Sequence, residues 1–334
     1  MTGTGTLEDT TRSVPEPAVR RAGALAARLA AVLAKRVVML VVLLAVVFAA
    51  IEVLPGDAAT ATSERGEGAA GVAARRHLLG LDRPVWERFR DWITALPSGD
   101  LGTSARGERV CDLLAAPLPN TVLLGSTAFV LTVLAALALG AWAAARPKGV
   151  VDRIVDLTST AAFALPEFVV AVGLLLVLSL WTGWLPAATV TGADGTPAGW
   201  RMLVMPVLAL TVPQTGWNTR IVRGALADQA AAPHVAAARL DGLPTRQVLF
   251  RHALPGAWPA IATGVATSTG MLLGGTVVVE TLFNYPGIGT VLAGAVADRD
   301  TPVIAAVVAC SAALITGVLL LADLIRARTL GVRT

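Results

Sequence analysis

The sequence predicts an all-α integral membrane protein with about six transmembrane helices, on three observations. Hydrophobic residues fill 55% of the 334 positions and charged residues only 15%, where a soluble chain carries about 25% charged. Mean hydropathy is +0.68. The apolar residues also arrive in long runs, and a hydrocarbon core about 30 Å thick is crossed by roughly 20 residues of helix.

The runs fall at residues 37–54, 121–145, 154–185, 202–222, 258–282 and 302–325. The first closes at Pro55-Gly56-Asp57, and its basic leader is too long for a cleaved signal, so it reads as a retained anchor. The third contains Pro166, which predicts a tilt or kink. The fourth contains Pro206, Pro213 and Gln214, so its polar end is expected to face protein or water rather than lipid. Arg146, Lys148 and Arg153 load the second connection, and Arg220, Arg223, Arg239, Arg246 and Arg251 the fourth. Arg20, Arg21, Arg28, Lys35 and Arg36 precede the first span, and Arg326, Arg328 and Arg333 follow the last. By the positive-inside rule both termini are cytoplasmic.

The chain thus divides into a cytoplasmic tail at 1–35, a first span at 36–55 and an extracytoplasmic segment at 56–120. A core at 121–325 follows, with a long inner connection at 223–255, and then a tail at 326–334. The first two dozen residues read as a disordered tail. Residues 20–36 read either as a basic amphipathic helix on the membrane surface or as a solvated leader.

Composition excludes several chemistries. Net charge is +4, and the arginines border apolar runs, so they report orientation rather than nucleic-acid binding. Cys111 and Cys310 offer no disulfide framework. Three histidines, His77, His234 and His252, form no H-E-x-x-H, and neither Lys35 nor Lys148 sits in a Walker A loop. No cofactor is expected in this chain, and it is not expected to hydrolyse ATP. An ion-coupled secondary transporter remains as a rival class, because acids lie near the spans.

The fourth connection is the informative one. His234-Val-Ala-Ala-Ala-Arg-Leu-Asp-Gly242 is followed by nine residues and then His252-Ala-Leu254-Pro255. The pattern predicts a helix, a glycine ending it at φ > 0, a second helix from about Leu243-Pro244-Thr245, and a proline where the next span begins. The segment resembles the EAA loop of permeases in ABC importers. Ala237, Ala238, Gly242, Leu254 and Pro255 match at the family's spacing, with Ala236 in place of Glu and His252 in place of Ile. Leu54-Pro-Gly-Asp57, Leu79-Gly-Leu-Asp-Arg-Pro84, Gly99-Asp-Leu-Gly-Thr-Ser104 and Val279-Glu-Thr-Leu-Phe-Asn-Tyr-Pro-Gly-Ile-Gly289 extend the resemblance to the peptide/nickel branch. The C-terminus departs from the Asp-Pro-Arg with which that branch often ends.

The resemblance implies a type I importer permease in the bacterial cytoplasmic membrane. The EAA loop would be a coupling helix docking on one or two kinds of ATPase subunit, which hold the ATP and Mg2+. The other partners would be a second homologous permease, an extracytoplasmic substrate-binding protein and membrane lipid, with no nucleic acid. Di- or oligopeptides are the implied cargo, with nickel or a metal–chelator complex as the alternative.

Intramembrane acids need a polar partner or a watery path. Glu280 and Glu167 are candidates for the translocation path, each with a structural pairing as its alternative. Asp156 and Asp323 are expected to be solvated or paired with Arg153 and Arg326, and Glu52 to lie at the outer interface. Thr263, Gly264, Thr267, Gly270, Gly274 and Gly275 share one face of the fifth run. That face suits close helix packing, through Gly270-x-x-x-Gly274, or pore lining.

Overall fold

The computed structural model describes residues 18–53, 56–63, 68–193 and 195–331, with side chains from 30 through 324. The chain divides into two units, 1–43 and 44–334. The first contains the N-terminal part of helix α1 (Ala18–Val53), on which Val37, Val38, Met39 and Val42 are exposed. Residues 20–36 are therefore the start of one long helix, not a separate surface helix. The expected disordered tail is corrected from Ala18 on, where the helix has begun; its residues 1–17 and the Leu54-Pro55 corner lie outside the described residues.

The second unit is helical, with only two isolated β-bridges among the described residues. A short layer of helices, α2 (Ala58–Ala61), α3 (Ala69–Leu78), α4 (Val85–Ala95) and α5 (Val110–Ala115), precedes the long ones. These are α6 (Pro117–Ala144), α7 (Val150–Ala164), α8 (Glu167–Leu174, continued as a π-helix to Trp181) and α9 (Arg201–Ala230). Short α10 (Pro233–Leu240) and α11 (Thr245–Gln247) lead to α12 (Leu254–Leu282), α13 (Ile288–Asp298) and α14 (Thr301–Gly331).

Four stretches are long and apolar enough to cross a membrane: Ala30–Val53, Val110–Ala144, Thr245–Leu282 and Thr301–Leu324. The α7–α8 pair makes a fifth if counted as one broken span. Its two halves meet at 97°, far beyond the kink that Pro166 led us to expect. Leu165 is held extended (φ −88°, ψ 121°), because a residue before proline is pushed out of the helical region.

The remaining candidate, α9, is long enough at about 45 Å but too polar to qualify. It is instead sheathed by protein, packing against α6, α7, α8 and α12. Met205, Pro206, Leu210, Pro213, Gln214 and Asn218 are all buried along it. Close approach is built in by small residues. A Cβ on Gly140 of α6 would stand 2.6 Å from Val222, one on Gly264 of α12 2.6 Å from Ile221, and one on Gly216 2.5 Å from the Ser159 carbonyl.

Among the described residues, α9 enters two apolar clusters. One joins Leu124, Ala128, Met205, Leu210, Leu272, Phe283 and Tyr285. The other joins Val222, Leu226, Val235, Ala238, Val248, Leu249 and Ile261. The short-helix layer is anchored by Asp57, which caps α2 through Thr60 N–H (2.9 Å) and pairs with Arg76. Burial pushes this carboxyl up, but the Thr60 and Arg76 donors outweigh it and hold it below its ordinary value. Trp92 Nε1 donates to the Leu101 carbonyl (3.0 Å), and Phe48 packs on Phe89 and Trp92.

Gly216→Ala should destabilise the protein by about 1–3 kcal/mol, since its Cβ meets the backbone of α7 rather than a side chain that can turn away. Gly224→Ala on the same helix meets nothing within 4 Å and should be neutral or stabilising by up to about 1 kcal/mol. Thermal unfolding of the two variants in detergent checks the contrast.

Candidate functional site

The 223–255 connection folds as a compact knob. Pro233 opens α10 at a position where its missing N–H is no loss. The helix closes on Gly242, at φ +76°, with Gly242 N–H donating to the Arg239 carbonyl (3.1 Å) and Leu243 N–H to Ala238 (3.3 Å). That pair of bonds is a Schellman closure, which requires the left-handed conformation glycine adopts without strain. Pro244 then starts α11, and a π-helix over Val248–Ala253 runs into α12. The wider turn lies where the Pro255 ring would otherwise press on the Arg251 carbonyl.

Of the motif residues, Ala238 is buried, Leu254 and His252 are half-buried, and Ala237, Gly242 and Pro255 are exposed. His234 Nε2 lies 3.2 Å from the His252 carbonyl, so the two histidines of the motif meet across the knob. Leu240, which the sequence reading passed over, is 89% exposed at the α10 tip.

Glu280 occupies a different setting. It is wholly buried, and its Oε1 accepts from the Thr121 hydroxyl (2.7 Å) while Oε2 accepts from Gly289 N–H (2.6 Å). Thr121 Oγ1 in turn accepts from Ile288 N–H (2.8 Å). The carboxylate thus supplies the cap that Gly287, the N-cap of α13, cannot. Tyr285 donates to the Asn120 carbonyl (2.9 Å), and Asn120 Nδ2 donates to Gly195 and Pro286 (2.9 and 2.8 Å). Burial, with Glu280 close by, pushes the Tyr285 phenol up, so it stays a donor. The geometry is that of a buried helix cap, the structural alternative that the sequence left beside a place on the translocation path. Tyr285 is the single tyrosine of the chain, a signal that could have marked this cluster.

Glu167 stands at the break, at the start of α8. Gln214 Nε2 lies 3.5 Å from its Oε1, and a Cβ on Gly275 of α12 would come within 3.3 Å of its Cγ. Thr267 and Gly274 are exposed on α12, and Gly270 is half-buried, 3.9 Å from Ile315 as a Cβ would measure it. The Gly270-x-x-x-Gly274 face is thus uncovered within this chain at its Gly274 end.

Of the peripheral acids, Asp156 is paired otherwise than expected. Asp152 and Asp156 both take Arg223 (2.5 and 3.1 Å), so Asp156 does not need Arg153. Glu52 pairs with Arg88 (3.2 Å). The Arg326 side chain expected beside Asp323 lies outside the described residues.

A polytopic helical membrane protein with an exposed helical knob between two long helices fits a transport permease. The family described as the inner membrane component of binding-protein-dependent transport systems matches residues 136–330. A probable peptide ABC transporter permease protein, y4tP of Sinorhizobium fredii, is 31% identical over 280 residues, covering 83% of this chain and 90% of the relative. The glutathione transport system permease protein GsiC of Salmonella choleraesuis and of Escherichia coli is 32% identical over 261 residues, covering 78% and 83%. The chain belongs to this family: it is the permease subunit of an ABC importer, which displaces the ion-coupled carrier reading.

Glu280→Ala would leave the Thr121 hydroxyl and Gly289 N–H without an acceptor, at about 1–3 kcal/mol each. Its melting temperature should fall by several degrees, and that of Glu280→Gln, which keeps a carbonyl acceptor, by less. Lost uptake at an unchanged melting temperature would return Glu280 to the translocation path.

Proposed function

We propose that this permease imports di- or oligopeptides, powered by ATP that separate subunits hydrolyse after docking on the α10–α11 knob. The knob's form carries the reading. Its inner face is fixed in an apolar cluster shared with α9 and α12, while Leu240 projects into solvent, as a residue meant for a partner's groove would. Ala237, Ala238, Gly242, His252, Leu254 and Pro255 are the proposed coupling residues: Ala238, Gly242 and Pro255 set the backbone, and the exposed positions meet the ATPase. The cargo rests on the relatives named for peptide and glutathione transport.

On this reading α9 is the sixth span, shielded from lipid by its neighbours, and the knob and both termini are cytoplasmic, a side that the arginines around the knob support. Residues 56–120 face outward and receive the substrate-binding protein. A second permease covers the Thr267–Gly270–Gly274 face of α12, and the path runs between that face and Glu167. ATP and Mg2+ reside in one or two kinds of ATPase subunit.

Affinity purification of the tagged chain from its host, with uptake measured on labelled peptides, tests the whole assembly. Recovery of a second permease and a Walker-bearing ATPase is expected; repeated recovery of the chain alone would overturn it. Gly242→Asp, strained by about 1–2 kcal/mol at its positive φ, should abolish uptake while the protein still inserts. Normal uptake at normal expression would remove the coupling assignment. Leu240→Asp, which disturbs no core contact, should weaken ATPase co-purification about ten-fold or more.

A further inference from the structure

Beside the knob lies an open groove of about 590 Å³ between the C-terminal end of α6 and the α11–π-helix stretch. Its floor is apolar, formed by Ala138, Ala141 and Ala145 along one face of α6 and by Leu249 opposite. Two cations, Arg146 and Arg246, stand at its rim. Neither has an ion pair among the described residues, whereas nearby Arg223 is taken by two aspartates. Trp142 and Phe250, each about half exposed, flank the opening.

We propose that this groove is a binding site for an anionic phospholipid, with Arg146 and Arg246 holding the headgroup phosphate and the alanine floor one acyl chain. Charge and depth favour this occupant together. Arginine forks suit phosphate oxygens, and exposed aromatic side chains mark the headgroup level of a membrane. Ala138 lies about 9 Å inside the end of α6 by helical rise, within the apolar stretch Val110–Ala144. An acyl chain reaches that depth; a soluble subunit does not. Basic pockets between spans are a recurrent form of lipid-headgroup site. Because one wall is a span and the other is the knob's own helix, a lipid seated there would tie the knob to the bilayer. The inference rests on membrane embedding alone, not on the cargo or the coupling assignment.

The test is native mass spectrometry of the full-length chain, titrated with phosphatidylglycerol and with phosphatidylcholine of the same acyl chains. Two charge contacts should give phosphatidylglycerol an advantage of about ten-fold or more. Arg146→Gln/Arg246→Gln should abolish that advantage, Arg146→Lys/Arg246→Lys should keep most of it, and Arg153→Gln, an exposed arginine away from the groove, should not alter it. Should the double glutamine variant misfold, quenching by brominated phosphatidylglycerol provides a second readout. The difference in quenching between wild type and Trp142→Phe should exceed that seen with brominated phosphatidylcholine. An unchanged lipid preference in the double variant, or equal quenching by the two brominated lipids, would overturn the proposal. So would displacement by inorganic phosphate alone, which would mean an anion site without a lipid. Loss of ATPase co-purification with lipid preference intact would assign the groove to the ATPase.

Discussion

A helix carrying Pro206, Pro213, Gln214, Thr215, Asn218 and Thr219 cannot stand in lipid, and the structure is arranged around that restriction. Each proline removes an N–H, leaving the carbonyls of Met202 and Ala209 without their helical donors. In hydrocarbon an unmet polar group costs several kcal/mol. The response is to surround α9 with α6, α7, α8 and α12 and to thin the contacts with glycine so that the neighbours close over it. Polar capacity is left over even so. The hydroxyls of Thr211, Thr215 and Thr219, the Asn218 carbonyl oxygen and the Thr132 hydroxyl on α6 have no partner among the described residues. Spaced at i, i+4 and i+8, the three threonines form one stripe. Such a stripe can exchange partners as neighbours shift, which an apolar seam cannot do.

The same helix links the two ends of the second unit. Near its C-terminus Val222, Ala225 and Leu226 share a cluster with Val235 and Ala238 of the knob. Near its N-terminus Met205, Val207 and Leu210 share one with Phe283 and Tyr285, beside the Glu280 cap. Close-packed interiors transmit displacement because they leave little void to absorb it. A force on Leu240 would therefore reach α9 through Val235 and Ala238, not through a flexible linker. If an ATPase docks on the knob as proposed, α9 is the element it moves first.

Much of this was legible in the sequence because the signals were local. Apolar runs gave the long helices, and the spacing from His234 to Pro255 gave a helix, a left-handed glycine and a second helix, all of which the structure contains. What failed depended on partners remote in sequence. Pro166 announced a bend, but its 97° follows from Leu165 being held extended between helices that both pack on α9. Asp156 looked nearest to Arg153, yet Arg223, from another helix, takes it. For Glu280 the sequence left a path and a structural pairing both open, because nothing local reveals that Thr121, 159 residues away, donates to it.

The Glu280 cluster bears on what the resemblance can say about cargo. The run Val279-Glu-Thr-Leu-Phe-Asn-Tyr-Pro-Gly-Ile-Gly289 is one of the stretches that resemble the peptide/nickel branch, and a single interaction explains much of it. An acceptor is needed at the start of α13, and Glu280 supplies it. A Cβ on Gly289 would fall 2.6 Å from the Glu280 oxygen and from the Val277 Cα, so glycine is needed for the carboxylate to arrive. Tyr285 fills the buried corner and anchors it to α6 through Asn120. These residues are buried and hold α6, α12 and α13 together. Each has a packing or hydrogen-bonding role that accounts for it without a cargo. If the path runs beside α12 as proposed, discrimination within this chain falls to positions such as Thr267 and Gly274, exposed on that helix, where a side chain can change without undoing the cap.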